Sequence, residues 1–126
     1  MTITVQGVVA RGKGEPVELT TVLVPEPGPG EALVWLKAAT LNHRDLLFSK
    51  GALKGMTKEP AYVPLSCAAG EVVRVGDGVD RVRPGDRVNP TFIQGVTSGD
   101  QKTSPDMLGG TADGVARQYG VFPAGR

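Results

Sequence analysis

The sequence predicts a mainly β fold, a small and partly open barrel with one or two short helices, and three observations lead to it. Apolar residues recur in short runs rich in valine, which suits side chains packed on a pleated, half-buried surface. Eighteen glycines and ten prolines are spread along the 126 residues, as turns between short strands require. Pro64 to Val88 contains two β-like runs separated by glycine and proline turns, so we expect it to form the central antiparallel part of the barrel.

The first three strands are predicted in order from the amino terminus. Thr2 to Val9 alternates apolar and polar side chains, and Val17 to Val24 is a second β-like run. Pro25 to Gly30 ends that run, because its three prolines lack the amide proton that a strand ladder needs. Glu31 to Ala39 alternates most clearly and has apolar residues on both faces, so we expect both faces to be covered near its middle.

A short helix is predicted from Leu41 to Lys50, where the apolar period changes. Asn42 is suited to cap this helix, and the Asp45 carboxylate stands three residues on, as in a capping box. Gly51 is expected to end the helix. The buried side is expected to consist of three consecutive apolar residues, Leu46, Leu47 and Phe48.

The second half of the chain adds shorter strands and one long loop. We predict strands over Ala68 to Val75, Arg87 to Pro90 and Val115 to Phe122. Asn89 to Pro105 is largely polar and is predicted to be a surface loop of unusual length, a kind of loop that is often functional. Gly109 to Gly114 is predicted to be a glycine-rich turn.

Composition excludes several classes of function. The chain has 14 basic and 13 acidic residues, a net charge of +1, so no overall field draws it to nucleic acid or to an anionic membrane. No apolar run approaches the roughly 18 residues that span a bilayer, and the amino terminus lacks a signal-peptide pattern. Cys67 is the single cysteine, which excludes an internal disulfide and makes a cytoplasmic location the default expectation. The length corresponds to one domain, residues 1–126.

Few residues have the chemistry of a catalytic or metal site. His43 is the single histidine; it has no visible nucleophile partner, although its place at a predicted helix start favours contact with an anion. Zinc needs three or four ligands, and one cysteine and one histidine with no suitably spaced carboxylates predict no zinc site. No Gly-x-Gly-x-x-Gly motif is present, so the chain has no dinucleotide-binding unit of its own.

Six motifs follow one another along the chain: Leu41–Asp45, Pro64–Val73, Val75–Val79, Pro84–Val88, Pro90–Phe92 and Gly109–Gly114. In this order they resemble the amino-terminal GroES-like domain of the medium-chain dehydrogenases/reductases. The series is most similar to alcohol-dehydrogenase-like and quinone-oxidoreductase-like members that lack zinc. The resemblance covers nearly the whole chain and implies a GroES-like, partly open β-barrel.

The resemblance also bears on the metal. Zinc-binding members have a cysteine at the position of Asn42 and a His-Glu pair at the positions of Ser66 and Cys67, and none of these ligands is present here. Similar zinc-free members commonly have an acidic residue where Cys67 stands. The cysteine therefore departs from the family pattern.

The same resemblance implies a site. In the quinone-reductase members, an asparagine at the position of Asn42 lines the substrate and nicotinamide cleft, so Asn42 is the candidate catalytic residue, polarising the acceptor oxygen. The position of His43 approaches the cofactor pyrophosphate in some members. For Asn42 and Asp45, helix capping and cleft lining are both open. The further cleft candidates are His43, Arg44, Asp45, Ser66 and Phe92.

The family's second domain is absent from these residues. By resemblance, a Rossmann domain binds NAD(P)H and closes the cleft over a small-molecule substrate, a carbonyl, enone or quinone. The 126 residues are therefore expected to be part of an enzyme, with no cofactor bound to them alone and little or no activity. An apolar domain interface left exposed also predicts self-association into homo-oligomers.

A binding or assembly module is the alternative interpretation. The same turn motifs occur in GroES-like co-chaperonin subunits, and a fold does not settle function. The polar loop from Gln94 to Asp106 would then be the mobile loop that binds a partner. Against this, the loop has no obvious apolar anchor, and the helix start at Asn42 has no purpose in a co-chaperonin.

Overall fold

A computed structural model describes residues 2–12, 14–51, 57, 58, 60–92 and 107–124. Strands dominate these residues, with a single α-helix among them, so the predicted mainly β class is confirmed. The elements are strands β1 (Thr2–Val9), β2 (Glu18–Pro25) and β3 (Glu31–Thr40), helix α1 (His43–Ser49), and strands β4 (Cys67–Val75), β5 (Arg87–Val88) and β6 (Tyr119–Pro123).

The strands form two antiparallel sheets that do not close on each other. β1 pairs with β2, and the larger sheet has the order β5-β4-β3-β6. β4 pairs with β3 on one side and with β5 on the other, so the predicted antiparallel pairing within the Pro64–Val88 stretch is confirmed. β4 lies inside the sheet, and β5 lies at its edge. The open arrangement agrees with the predicted partly open barrel.

Three apolar clusters form the core of the described residues. One fills the inside of the larger sheet, one lies between the two sheets, and one lies beneath α1. Burying a large apolar side chain stabilises a fold by about 1.5–3 kcal/mol. The buried members are Val34, Leu36, Ala68, Leu108, Val115 and Phe122 in the first cluster, Val5, Val24 and Leu33 in the second, and Ala10, Phe48 and Tyr62 in the third.

Strand β3 is covered on both faces only over its first part. Leu33 and Val34 are buried on opposite faces, as expected, but Trp35 is 43% exposed and Ala38 is exposed as well. The smaller sheet reaches Leu33 through the second cluster. Beyond that point the outer face of β3 is uncovered, so the tryptophan instead stacks on Tyr119 with ring centroids 6.4 Å apart.

The helix is shorter than predicted and buries a different face. Asp45 and Phe48 are its buried residues, whereas Leu46 is 48% exposed. The prediction of three consecutive buried residues was wrong for Leu46, because only residues three or four apart share one side of a helix. Gly51 has a φ of 73° and follows the last turn, as predicted. Among the described residues, no helix has the length and apolar character needed to cross a bilayer.

The last strands also differ from their predicted bounds. β5 ends at Val88 rather than at Pro90, and β6 begins at Tyr119 rather than at Val115. The amides of residues 115 and 116 donate instead to the carbonyls of Leu65 and Pro64, at 3.0 and 3.1 Å, outside any strand ladder. The predicted loop lies mostly outside the described residues, including all of Gln94 to Asp106.

Candidate functional site

The start of α1 is fixed by a capping box. The Asn42 amide N–H donates to Asp45 Oδ2 at 2.8 Å, and the Asp45 amide donates to the Asn42 carbonyl at 3.0 Å. Asp45 is 8% exposed. The predicted capping pair is confirmed, and Asp45 is thereby occupied within the helix start.

Two side chains reach from this helix start to the beginning of β4. Asn42 Nδ2 donates to the Cys67 sulfur at 3.4 Å, and Arg44 Nη2 donates to Ser66 Oγ at 3.0 Å. The Ser66 hydroxyl oxygen in turn lies 3.9 Å from the Cys67 sulfur. The four side chains therefore form one polar cluster, which we call the helix-start cluster.

Phe92 joins the helix-start cluster from the segment after β5. The Arg44 guanidinium carbon lies 3.9 Å from the centroid of the Phe92 ring, a distance typical of a cation–π contact. Arg44 Nε is buried and has no hydrogen-bond partner among the described residues. The Phe92 carbonyl accepts the Leu108 amide at 2.9 Å, which fixes the backbone that holds the ring.

A tight backbone crossing holds Ser66 from the other side. Leu65 has a φ of 73°, the one positive φ of a non-glycine residue among those described. A Cβ at Gly109 would lie 2.9 Å from the Leu65 nitrogen and oxygen, and a Cβ at Gly114 would overlap the Leu65 carbonyl oxygen. Only glycines allow this approach, and they hold the chain in the strained turn that leads into β4.

The structure brings together most, but not all, of the predicted site residues. Asn42, Arg44, Ser66 and Phe92 meet in or against the helix-start cluster. His43 is exposed and makes no hydrogen bond or ion pair with another described residue.

The exposure of the cluster differs from one member to the next. Ser66 is 1% exposed, so its hydroxyl lies beneath the surface rather than on it. Asn42 is partly exposed and Cys67 is exposed. Sequence reasoning left Cys67 without a role, and no local signal could have shown that its sulfur accepts a bond from a residue 25 positions away. The accessible donor of the cluster is the Asn42 amide.

The electrostatic environment differs between the two sides of α1, the side of the helix-start cluster and the buried side that contacts Tyr62. Arg44 has no carboxylate within 4.0 Å among the described residues, so its charge at the cluster is not neutralised by an ion pair. Below the helix, burial raises the pKa of the Tyr62 hydroxyl above its usual value, and the Asp45 carboxylate raises it further. The Tyr62 oxygen is buried and has no hydrogen-bond partner in the part of the chain that the structure describes.

The donor set at the cluster does not fit a zinc ion. Asn42, Ser66 and Cys67 supply an amide, a hydroxyl and a single thiol, whereas zinc takes thiolates, imidazoles and carboxylates. Within the described part of the chain, no group of three or more His, Cys, Asp or Glu side chains is placed to hold a metal ion.

A second concave surface lies elsewhere, between the smaller sheet and a wall formed by Lys58, residues 61–63, Asp113 and Arg117. It is an open groove of about 280 Å³. Lys58 Nζ donates to Asp113 Oδ2 at 2.8 Å there, and burial lowers the pKa of the neighbouring Arg117 guanidinium. Its lining residues are Val9, Val22, Leu23, Lys58, Ala61, Tyr62, Val63, Asp113 and Arg117.

Comparison with known proteins gives consistent matches. The family model described as the alcohol dehydrogenase GroES-like domain matches residues 28–126. A zinc-type alcohol dehydrogenase-like protein of Schizosaccharomyces pombe is 41% identical over 98 residues, 76% of this chain and 28% of that protein. A chloroplastic quinone-oxidoreductase of Triphysaria versicolor is 33% identical over 101 residues, 79% of this chain and 26% of that protein.

A solved structure agrees with these sequence matches. The crystal structure of an NAD-dependent alcohol dehydrogenase is 34% identical, with a TM-score of 0.78 over 94% of this chain and 37% of that one. The chain thus spans about a quarter to two fifths of the length of each of these three proteins.

Proposed function

The chain belongs to the family of alcohol dehydrogenase GroES-like domains, and we propose that residues 1–126 are the substrate-side domain of a zinc-free, NAD(P)H-dependent oxidoreductase. Its substrate would be a carbonyl, an enone or a quinone. One observation carries the proposal: an accessible amide donor, Asn42, stands at the edge of a cluster whose ligand set is wrong for zinc. Relatives named quinone-oxidoreductase and NAD-dependent alcohol dehydrogenase support it.

In this proposal Asn42 polarises the acceptor oxygen. Its amide now donates to a sulfur at 3.4 Å, and sulfur is a weak acceptor. A substrate carbonyl oxygen is a better acceptor, so the amide can exchange the Cys67 sulfur for it. A fixed donor aimed at an oxygen that gains negative charge lowers the barrier to reduction. NAD(P)H, when bound, would supply the hydride.

The other cluster residues shape the wall behind Asn42. Arg44 and Phe92 stack on each other, and Ser66 is held beneath the surface. His43 stands exposed beside them, where a cofactor held by a second domain would be within reach of it. Asp45 contributes by fixing the helix start rather than by contacting substrate.

A second domain is part of the proposal. These residues hold one side of a cleft, and hydride transfer needs cofactor and substrate held at near-contact distance. Leu41 is 83% exposed and Leu46 is 48% exposed beside the cluster, an apolar surface that a Rossmann domain of the same polypeptide would cover. Alone, the chain is expected to bind no cofactor, to have little activity and to self-associate through this surface. The proposal places the enzyme in the cytoplasm.

The experiment uses the polypeptide in which these residues are joined to the segment that follows them in their reading frame, here called the parent polypeptide. NAD(P)H oxidation is measured with enone, quinone and aldehyde acceptors. Replacing Asn42→Ala should lower kcat by about 100-fold, the loss expected for one donor to a developing oxyanion, with little change in KM.

Asn89→Ala is the matched control for this substitution. Asn89 Nδ2 donates to the Ala68 carbonyl at 2.8 Å, so it is a nearby asparagine whose amide serves the backbone, and its replacement should leave kcat within about threefold. An Asn42→Ala enzyme with full activity would contradict the role given to Asn42. Stoichiometric zinc in the purified protein, or a reading frame without a glycine-rich dinucleotide-binding turn, would contradict the proposal as a whole.

Sizing by light scattering separates this proposal from the co-chaperonin-type alternative. A monomer, a dimer or a concentration-dependent mixture would count against the assembly module, and a monomer at every concentration would contradict the expected self-association. A discrete sevenfold ring would favour an assembly module instead.

A further inference from the structure

We infer that Arg44 is a positioning residue, which holds the Asn42 amide at the edge of the cleft by clamping the helix start to β4 and to the Phe92 segment. The inference deepens the proposed function and rests on it for the reaction that Asn42 serves. Its structural part concerns only contacts within the 126 residues.

The side chains of Asn42 and Arg44 donate hydrogen bonds to two residues that are adjacent in sequence. Asn42 and Arg44 are two positions apart at the helix start, and they donate to Cys67 and Ser66, which are neighbours at the beginning of β4. Cys67 also pairs with Thr40 at the end of β3. The turn between β3 and α1 is thus held at Thr40 by the sheet and at Arg44 by the serine, with Asn42 between the two points.

The Phe92 ring restricts the guanidinium further. The guanidinium carbon lies 3.9 Å from the ring centroid while Nη2 donates to Ser66. A planar, forked group offers a face to the ring and an edge to the hydroxyl in one rigid geometry, whereas a lysine ammonium is a point charge without a face. Arg44 therefore ties together three segments that are distant in sequence: the helix start, the beginning of β4 and the segment after β5.

The alternative, that Arg44 serves helix stability or a local ion pair, does not fit its surroundings. It lies in the first turn of α1, where the helix dipole disfavours a positive charge. Among the described residues, no carboxylate lies within 4.0 Å of it and no acceptor faces its buried Nε. A group kept in a place unfavourable to its charge is better explained by the geometry it imposes.

The first test uses nuclear magnetic resonance on the 126-residue chain. Arg44→Met should shift the Asn42 side-chain amide resonances and speed their hydrogen exchange at least tenfold. Arg44→Lys, which keeps the charge but not the plane, should restore less than half of the difference. Arg74→Met is the matched control, because Arg74 is exposed on β4 and pairs with Glu26 at 3.3 Å; it should leave the Asn42 resonances unchanged.

If Arg44→Met fails to fold, two further variants each remove one of the two contacts that Arg44 makes. Ser66→Ala removes only the acceptor, and Phe92→Leu removes only the ring. Each should shift the Asn42 amide in the same direction as Arg44→Met. Unchanged Asn42 resonances in all variants that fold would overturn the inference.

The second test is a double-mutant cycle in the parent polypeptide. Arg44→Met should lower kcat about tenfold, a part of the effect of losing one oxyanion donor, and change the acceptor KM less than twofold. In an Asn42→Ala background it should have no further effect, because Arg44 acts through Asn42. Additive losses would overturn the inference.

The proposed function and the positioning role of Arg44 can be contradicted independently of each other. If Asn42→Ala leaves kcat unchanged, the proposed function is wrong about Asn42. The resonance measurements still decide whether Arg44 positions it.

Discussion

Ser66 lies between two regions that are held together differently, one by backbone packing and the other by side-chain contacts. On one side, the crossing of Leu65 with Gly109 and Gly114 is a close approach of backbone to backbone, with no space for a methyl group. On the other side, the helix-start cluster consists of side-chain contacts, with a weak sulfur acceptor and a buried nitrogen that has no partner within the described ranges. The backbone crossing therefore has no free space, whereas the hydrogen-bonding groups of the helix-start cluster are incompletely satisfied.

The difference indicates where change is tolerated and where a ligand can act. The backbone at the close-packed crossing can take only one arrangement. Protein interiors are hardly compressible, so an added methyl group displaces the surrounding atoms. An incompletely satisfied polar cluster can exchange a partner at little loss, and such groups concentrate at functional sites. The crossing therefore supplies a rigid support, and in the proposed function the cluster supplies the donor that the substrate would recruit.

The largest expected effect is at the crossing. Gly114→Ala places a methyl group against the Leu65 carbonyl oxygen, and because backbone must move to admit it, we expect a loss of about 3 kcal/mol or more of unfolding free energy. Gly78→Ala is the control: Gly78 has a φ of 80° but open space around it, so its loss should be about 1 kcal/mol. Thermal and urea unfolding measure both. Equal losses would remove the contrast between packed and open glycines.

A smaller loss is expected at the helix start. Asp45→Ala removes the acceptor of the Asn42 amide and should lower the unfolding free energy by about 1–2 kcal/mol, the range for a lost cap. Asp86→Ala removes a similar bond, from the Arg83 amide at 3.0 Å, in an exposed turn, and should lose less than about 0.5 kcal/mol. If Asp45→Ala lowered the unfolding free energy as much as Gly114→Ala, the helix-start cluster would be as intolerant of change as the backbone crossing, contrary to this comparison.

The smallest effect has the opposite sign and concerns the residue beneath the helix. Tyr62→Phe removes a buried hydroxyl that has no hydrogen-bond partner among the residues described, so we expect unchanged stability or a gain of up to about 1 kcal/mol at neutral pH. A loss of more than about 1 kcal/mol would show that the hydroxyl has a partner.

The same variant should change the alkaline limb of the stability curve. The pKa of Tyr62 is raised in the folded protein, so above about pH 10, the usual tyrosine pKa, the unfolded chain releases this proton before the folded chain does. Stability from this group is therefore complete below about pH 10 and falls as the pH rises further. Tyr62→Phe should remove that fall, and Tyr119→Phe, which changes the other tyrosine, should leave it in place.

Much of the fold could be predicted from local pattern. The alternation of β1 and the pairing of Asn42 with Asp45 depend on residues at most a few positions apart, and both are found as predicted. Leu46 shows the limit of such reasoning: it lies in the predicted helix, but its exposure depends on which side of that helix meets Tyr62 and Ala10.

The candidate site divides in the same way. The residue types that lie near the cluster, and the wrong donor set for zinc, could be read from the sequence and its resemblance to a family. The sequence alone therefore determined a mainly β domain with a capped helix start. Only the tertiary structure decided that Arg44 stacks on Phe92 and bonds Ser66, 22 positions away. The physical reason is that local backbone preference sets each element, whereas side-chain contacts between distant elements exist only after the sheets and the crossing at Leu65 have placed them.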